Sequence, residues 1–384
     1  MKRNTVKFLK WSGFLILMVL LVLGLVIAYF YLRPNRSEVS EELTIETWPA
    51  VADGTHNAFT DMTYFKDSFW LVHVSSPWHL FSTKSRIVLW SSKDAHTWSK
   101  VTEFYSPGED IRDPKLAVHE DGIVLYSHSN IDSLTGAAFK TMAATSEDGI
   151  TWTPFVDMEP TGWLFWRPKS PDGGRTWYVA AYRYNHENSV LLKSTDGLTW
   201  EKVSTINIGD FNDETTIEFL ADGRLLATAR LEVAGYYFGD NRGNTLISVA
   251  SPPYTEWTEN HSTVARLDGP CLFSYNGRTY AVGRYQPGKR PYLFETGSIL
   301  AKRRTSLYLV LEDRLIWLSD LPSGGDTSYP GIVIRGDEAY ISYYTSNLKR
   351  DYPWIIGMFS PADVMIAKVN LKELEALAME RIEE

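Results

Sequence analysis

The chain has very little cysteine and no excess of positive charge. The single thiol, Cys271, excludes an internal disulfide framework and any site that needs several thiolates, and its apolar neighbours predict that it is buried and inert. The sequence has 38 lysines and arginines against 47 acidic residues, a formal net charge of −9. Because binding to a phosphate backbone depends on a basic surface, this composition excludes a nucleic-acid partner.

Nucleotide and metal motifs are also absent. The sequence contains no P-loop, no dinucleotide-binding glycine motif and no H-E-x-x-H helix. Four histidines lack the spacing of metal ligands: His73, His79, His119 and His128. We therefore expect no cofactor and no metal.

One long apolar run is present, at residues 11–32, and no charged side chain falls between Lys10 and Arg33. A helix of about 20 such residues can cross a bilayer. More basic residues precede the run than closely follow it, so the positive-inside rule places residues 1–10 in the cytoplasm and the rest outside. We expect a single-pass membrane protein with a polar stalk at residues 33–42. A cleaved signal peptide is the alternative, which the bulky residues 29–31 fit poorly.

A turn motif of the form S-x-D-x-x-T-W begins at Ser92, Ser146 and Ser194, and recurs at intervals of roughly 50 residues. Its Asp can accept from turn amides, and its Thr and Trp begin the outgoing strand. Short β-rich runs separated by Gly, Asp and Asn turns lie between the copies.

Four strands per unit of about 45–55 residues is typical of a propeller blade. Residues 43–372 accommodate six such units and predict an all-β, six-bladed β-propeller. Residues 373–384 are charged and favour helix, so we expect a short helical tail there. The abundant aromatic residues, 14% of the chain, suit stacked sheets and also sugar-binding clefts.

The turn motif resembles the Asp-box, or BNR repeat, of sialidases. In the fourth blade of that family a Glu opens a strand, a D-G turn follows and an Arg closes the next strand, and Glu214, Gly223 and Arg230 occupy these positions. Residues 321–331 resemble the sixth-blade segment that contains the family's tyrosine, here Tyr329. The resemblance covers nearly all of residues 57–370. It implies a retaining glycoside hydrolase in which Tyr329 is the nucleophile and Glu214 its activating base.

The sequence departs from the sialidase pattern in its arginines. The family's early Arg is missing, because the comparable stretch, residues 57–61, contains none. Three other arginines, Arg112, Arg230 and Arg284, are candidates for a displaced clamp on a substrate carboxylate. They could equally bind another anion or neutral sugar hydroxyls, and we expect weak or no activity on sialosides.

Asp61 and His79, which flank the opening hairpin of the first blade, are the two candidates for the general acid, and the leading hypothesis assigns that role to Asp61. Asp326 lies in the Gly-Gly-Asp loop before Tyr329, and we group it with His79 among the residues expected at the substrate. The leading hypothesis is a monomeric, membrane-anchored glycoside hydrolase outside the cytoplasm that acts on a carbohydrate or glycoconjugate. The alternative is a catalytically silent propeller that binds glycan or protein on its funnel face.

Overall fold

A computed structural model describes residues 2–130, 139–183, 185–232, 244–286 and 299–384. The chain begins with one helix, α1 (Lys2–Leu32), whose segment Lys10–Tyr29 is long and apolar enough to cross a membrane. None of that segment is buried against the rest of the protein. It is a candidate transmembrane span or signal anchor.

The described residues after α1 form 24 strands in six antiparallel sheets of four strands each. The first strand is β1 (Ile45–Val51). Blade 1 follows with β2 (His56–Phe65), β3 (Ser68–Ser76), β4 (Arg86–Ser92) and β5 (Ser99–Phe104). Blade 2 has β6 (Asp110–His119), β7 (Gly122–Asn130), β8 (Phe139–Ser146) and β9 (Val156–Asp157). Blade 3 has β10 (Leu164–Phe165), β11 (Trp177–Tyr182), β12 (Asn188–Ser194) and β13 (Glu201–Ile208).

Blade 4 has β14 (Thr216–Phe219), β15 (Leu225–Leu231), β16 (Asn244–Ala250) and β17 (Asn260–Ser262). Blade 5 has β18 (Asp268–Tyr275), β19 (Arg278–Tyr285), β20 (Arg304–Val310) and β21 (Leu315–Leu321). The last elements are β22 (Thr327–Arg335), β23 (Glu338–Thr345), α2 (Trp354–Met358), β24 (Asp363–Asn370) and α3 (Leu371–Glu383).

Blade 6 is completed by the other end of the chain. Its strand order is β22, β23, β24 and then β1, with Ile45 paired to Val369. The ring is therefore closed by hydrogen bonds between the first and last strands, and the molecule is a six-bladed β-propeller.

The propeller has two distinct ends. We call the upper face the end where the first strand of each blade begins. The loops from second to third strands and the links between blades lie on this face. The lower face bears the other turns, including the three S-x-D-x-x-T-W turns that join third to fourth strands in blades 1–3. In each turn the Asp carboxylate accepts from backbone amides two and three residues later at 2.7–2.9 Å, as sequence reasoning expected.

The two segments that flank the propeller both pack on blades 5 and 6. Helix α3 begins at Leu371, two residues before the expected boundary, and buries Leu374 and Leu377 in a core cluster shared with those blades. Residues 33–42, expected as a stalk, lie along the blade 5 edge: Asn35 Nδ2 donates to the Ser323 carbonyl at 2.9 Å. The same segment continues down this edge, with Ser40 N donating to Ser319 Oγ at 3.0 Å. The chain therefore leaves α1 directly onto the propeller surface.

Candidate active site

The upper face contains a cavity of ≈ 370 Å³ at the end of the central channel. Its walls come from blades 1–4, blade 6 and the segment around α2. The predicted catalytic residues Glu214 and Tyr329 both line this cavity. The predicted substrate-binding residues His79, Arg112 and Arg230 line it as well. Four blades thus supply side chains that are far apart in sequence.

Bulges in the first strands aim side chains into the cavity. The register of β2, β6 and β22 shifts near the upper face. Within each shift one residue has a positive φ: Phe59 at 55°, Asp113 at 52° and Tyr329 at 51°. Each of these residues lines the cavity. A bulge bends its strand and re-aims a side chain, so the repeated distortion builds the site.

Tyr329 and Glu214 form a direct pair across 115 residues of sequence. The phenol Oη donates a hydrogen bond to Glu214 Oε1. The other carboxylate oxygen, Oε2, accepts from the Gly269 amide at 2.6 Å and lies 3.0 Å from Arg230 Nη1. The carboxylate is therefore held in position on both sides while it faces the phenol.

Burial sets the proton affinities of this pair. It raises the pKa of Tyr329 well above its usual value, and the adjacent Glu214 raises it further, so the phenol is protonated at neutral pH. Burial also raises the pKa of Glu214 to about 7, although Arg230 acts in the opposite direction. A carboxylate that titrates near neutrality is well matched to accept a proton from a phenol.

Gly269 makes room for the tyrosine. It has a φ of +60°, and a Cβ at this position would lie 2.7 Å from Cδ2 of the Tyr329 ring. No real side chain tolerates such a contact without a shift of its neighbour. Gly269 therefore contributes both an amide donor to Glu214 and the space that the nucleophile candidate occupies.

Carboxylates of the protein already occupy the nitrogens of Arg230. Its Nε donates to Asp213 Oδ1 at 2.6 Å, and Nη2 donates to the second oxygen of the same carboxylate. Nη1 faces Glu214, and Glu232 lies 3.5 Å from Nη2. The guanidinium fork therefore has no face left for bidentate binding of a substrate carboxylate.

The other two predicted arginines differ in position. Arg112 lines the cavity, and its Nη2 lies 2.5 Å from Asp110 Oδ2. Arg284 is buried behind the nucleophile candidate, with its guanidinium carbon 5.3 Å from the ring centre of Tyr329. Its nitrogens contact the Thr327 carbonyl, Asp268, Asp326 and the hydroxyl of Tyr344. Arg284 thus supports the tyrosine from behind and does not line the cavity.

His79 presents an imidazole to the cavity and is fixed by Asp326. The Nδ1 of His79 lies 2.6 Å from Asp326 Oδ2, which assigns the proton to Nδ1 and leaves Nε2 without a hydrogen bond to any described residue. Burial lowers the pKa of His79 below its usual value, while Asp326 raises it in part. The carboxylate itself also accepts from Trp354 Nε1 at 2.9 Å, so Asp326 stands behind the cavity wall as a support.

Asp61 lies outside the upper cavity, farther down the channel beyond the β2 bulge. Its Oδ2 accepts from the Leu116 amide at 2.7 Å, and its Oδ1 accepts from Arg167. It lines a second cavity of ≈ 420 Å³ toward the lower face, together with Lys115. The bulge turns Phe59 upward instead, so Asp61 has no path for proton transfer to a ligand beside Tyr329.

Sequence reasoning missed several acidic neighbours of the site. Asp213 directly precedes Glu214, and Glu232 follows Arg230 by two residues, which places it on the same side of the chain. That spacing was a usable signal for an internally neutralised arginine. Trp354, which donates to Asp326, gave no signal because it lies in a connection without a repeat pattern.

In the part of the chain that the structure describes, two groups of side chains have ligand atoms close enough to hold a metal ion: His56 with His79 and Asp326, and His186 with Asp213 and Glu232. In the first group Asp326 already accepts from both imidazoles and from Trp354. In the second, Asp213 is paired with a guanidinium. The carboxylates in both groups therefore already have donors within the protein.

The fold matches solved sialidases at low sequence identity. Trypanosoma rangeli sialidase in complex with sialic acid aligns with a TM-score of 0.61 and 11% identity, over 90% of this chain and 61% of that one. A Hadza microbial sialidase aligns with a TM-score of 0.56 and 15% identity, over 85% and 68%. Bombyx mori GH32 β-fructofuranosidase aligns with a TM-score of 0.50 and 12% identity, over 86% of this chain and 94% of that one.

The chain spans about three fifths of the length of the trypanosomal sialidase. No protein-family model and no curated protein matches it. Sequence identities this low support a shared fold and nothing about function. Together with the six closed blades, they make the chain a sialidase-like β-propeller, with a glycoside-hydrolase-like fold, preceded by one apolar helix.

Proposed function

We propose that the protein is a retaining glycoside hydrolase that acts on an uncharged sugar. The observation that supports this most directly is the Tyr329–Glu214 pair, buried at a cavity that also contains the imidazole of His79. The pair supplies an activated nucleophile, and the imidazole supplies a proton donor on another wall of the same cavity.

In the first step Glu214 takes the phenol proton as Tyr329 Oη attacks the anomeric carbon. The bond from that carbon to the leaving oxygen breaks, and protonated His79 gives its Nε2 proton to that oxygen. The product is a sugar bound covalently to Tyr329, with Glu214 protonated and His79 neutral. We assign the acid role to His79 instead of Asp61 because only His79 lines the cavity.

In the second step neutral His79 takes a proton from water, and the water oxygen attacks the anomeric carbon. The bond to Tyr329 breaks, and Glu214 returns its proton to the phenolate. Two displacements at one carbon retain the anomeric configuration. Both residues finish in their starting protonation states, so the cycle is balanced.

The arginines favour an uncharged substrate. A bidentate charge-assisted pair contributes about 1.5–3 kcal/mol, and a sialoside would need such pairs for its carboxylate. Arg230 is occupied by Asp213, Glu214 and Glu232, and Arg284 lies behind the tyrosine. Among the described arginines, Arg112 alone lines the cavity with a single carboxylate partner. A neutral sugar can instead use the hydroxyl, imidazole and carboxylate groups of the wall.

The test is turnover of a panel of uncharged aryl glycosides by the full chain in detergent. We expect Tyr329→Phe to lower kcat by at least about 10³-fold and Glu214→Gln by about 10²–10⁴-fold. Tyr343→Phe is the matched control, because its buried hydroxyl donates to the Pro322 carbonyl away from the cavity. Saturable glycan binding without turnover of any glycoside would support the silent propeller instead.

We also propose that α1 is an uncleaved anchor that keeps the propeller outside the cytoplasm. The support is its long apolar segment with a basic N-terminal flank and the bulky residues at its end. Extraction of membranes at alkaline pH tests this proposal. An anchored chain stays with the lipid at its full mass, whereas a cleaved chain is released and begins after residue 28.

A further inference from the structure

The junction between α1 and the propeller lies on the upper face. Arg350 Nη1 donates to the Leu32 carbonyl at 2.6 Å, and Arg33 Nε donates to the Asp351 carbonyl at 2.5 Å. Both partners belong to the connection from β23 to α2, and α2 itself begins at Trp354, which lines the cavity. The helix therefore joins the same end of the propeller that contains the candidate active site.

The junction is short and fixed. The apolar segment ends at Tyr29, and Tyr31 already stacks on Tyr352 with ring centres 5.0 Å apart. Four residues after Tyr29, the Nε of Arg33 donates to the Asp351 carbonyl. Four helical residues span about 6 Å. Asp351 is held in turn by Lys302 Nζ at 3.0 Å and Arg304 Nη2 at 2.8 Å, so the attachment point is itself anchored in blade 5. A helix that spans a bilayer would therefore hold the upper face close to the membrane surface.

Exposed apolar side chains concentrate on this same face. Among the described residues from 43 onward, eleven large apolar side chains are strongly exposed. Seven of them lie on upper-face connections or at strand ends beside them, with exposures of 41–71%: Trp78, Leu80, Tyr105, Ile208, Phe211, Leu348 and Phe359. The lower face and outer edge share the other four: Ile150, Val156, Ile334 and Met379.

The seven side chains are distributed around the ring. Leu348 and Phe359 lie in blade 6 beside the helix junction, whereas Tyr105 links blades 1 and 2 and Phe211 links blades 3 and 4. A protein contact beside α1 would not need apolar groups on the far side of the ring. A planar apolar partner would contact all of them, and Trp and Tyr are side chains that favour the membrane–water interface.

We propose that the upper face of the propeller rests on the bilayer that α1 spans, with its apolar side chains in the interfacial layer and the cavity mouth opening onto the lipid headgroups. This rests on α1 remaining as an anchor. If the proposed glycosidase function also holds, the substrate is a glycan attached to a membrane lipid, because the bilayer restricts the approach of a soluble polymer to the mouth.

Site-directed labelling of the full chain in lipid nanodiscs tests the placement without any assay of activity. The only native thiol, Cys271, is buried, so single cysteines can be introduced and labelled selectively. Phe211→Cys and Tyr105→Cys report on the upper face far from α1. Ile334→Cys is the control, since it belongs to blade 6, the blade whose upper connection holds the α1 junction, but lies at the lower end of its strand.

Each cysteine receives a bimane fluorophore, and quenching is compared between nanodiscs with and without a lipid that bears a headgroup nitroxide. Strands of this length put the two faces roughly 25–30 Å apart. We expect at least several-fold stronger quenching at Phe211 and Tyr105 than at Ile334. Equal quenching at all three sites, stronger quenching at Ile334, or none at either upper-face site would overturn the proposal. None of these results depends on the glycosidase mechanism.

Discussion

Replacing Gly269 by alanine perturbs the nucleophile candidate without touching its functional groups. The new Cβ would lie 2.7 Å from Tyr329 Cδ2, so the ring must move away by a large fraction of an ångström or more. The phenol then no longer meets Glu214. Because a misplacement of ~1 Å at a reacting group costs about 10²-fold in rate, we expect kcat for the best aryl glycoside to fall by roughly that factor.

The same substitution also strains the backbone, and this effect needs its own control. An alanine at a φ of +60° costs about 1–2 kcal/mol of folding stability. Gly277 in the β18–β19 turn has a φ of +75°, and no heavy atom of the described residues lies within 4 Å of its would-be Cβ. Gly277→Ala should therefore lower Tm by about as much as Gly269→Ala does, and it should leave kcat unchanged. Wild-type kcat in folded Gly269→Ala would refute the reasoning about Tyr329.

Three further outcomes are expected. The profile of kcat/KM against pH should be bell-shaped. Glu214 must be ionised, and it becomes protonated as the pH falls through its pKa of about 7. His79 must be protonated, and it loses its proton as the pH rises through its pKa, which burial lowers below the usual 6.5. His79→Gln should remove the alkaline limb and harm alkyl glycosides more than nitrophenyl glycosides; an unchanged profile would exclude His79 as the acid. An aryl sialoside should be turned over at least about 10-fold more slowly than the best neutral glycoside, since one arginine pair is worth that much, and the reverse order in parallel assays would show that the clamp is complete. Arg112→Ala should change KM for a neutral glycoside less than about 10-fold in steady-state kinetics, and a larger rise in KM would mean that Arg112 is itself a principal contact of the neutral sugar.

The propeller could be predicted from sequence because its repeat is local. Each turn motif bonds within its own few residues, as Asp94 does with the amides of His96 and Thr97, so the pattern survives without knowledge of the rest of the fold. The closure of blade 6 by β1 is different. Its partner strand lies more than 300 residues away, and no local pattern identifies that pairing.

The candidate site was predictable only in part. The roles of Glu214 and Tyr329 were predicted from a family resemblance. The two residues meet at one cavity because each lies near the upper end of the first strand of its blade. The place of Asp61 depends instead on a bulge that turns Phe59 toward the cavity, and a one-residue change of register sends a side chain to the other side of its strand. Arg284 was predicted to reach the substrate from its strand. In the structure the Tyr329 ring lies between its guanidinium and the cavity.

The most direct test of the central claim is to trap the glycosyl intermediate and locate it. The full chain is incubated with a 2-deoxy-2-fluoro analogue of its best glycoside, and peptides are mapped by mass spectrometry. We expect one added sugar on Tyr329 and none in Tyr329→Phe. A sugar on Glu214, Asp113 or another carboxylate, or turnover of the parent glycoside with no adduct on Tyr329, would contradict the account.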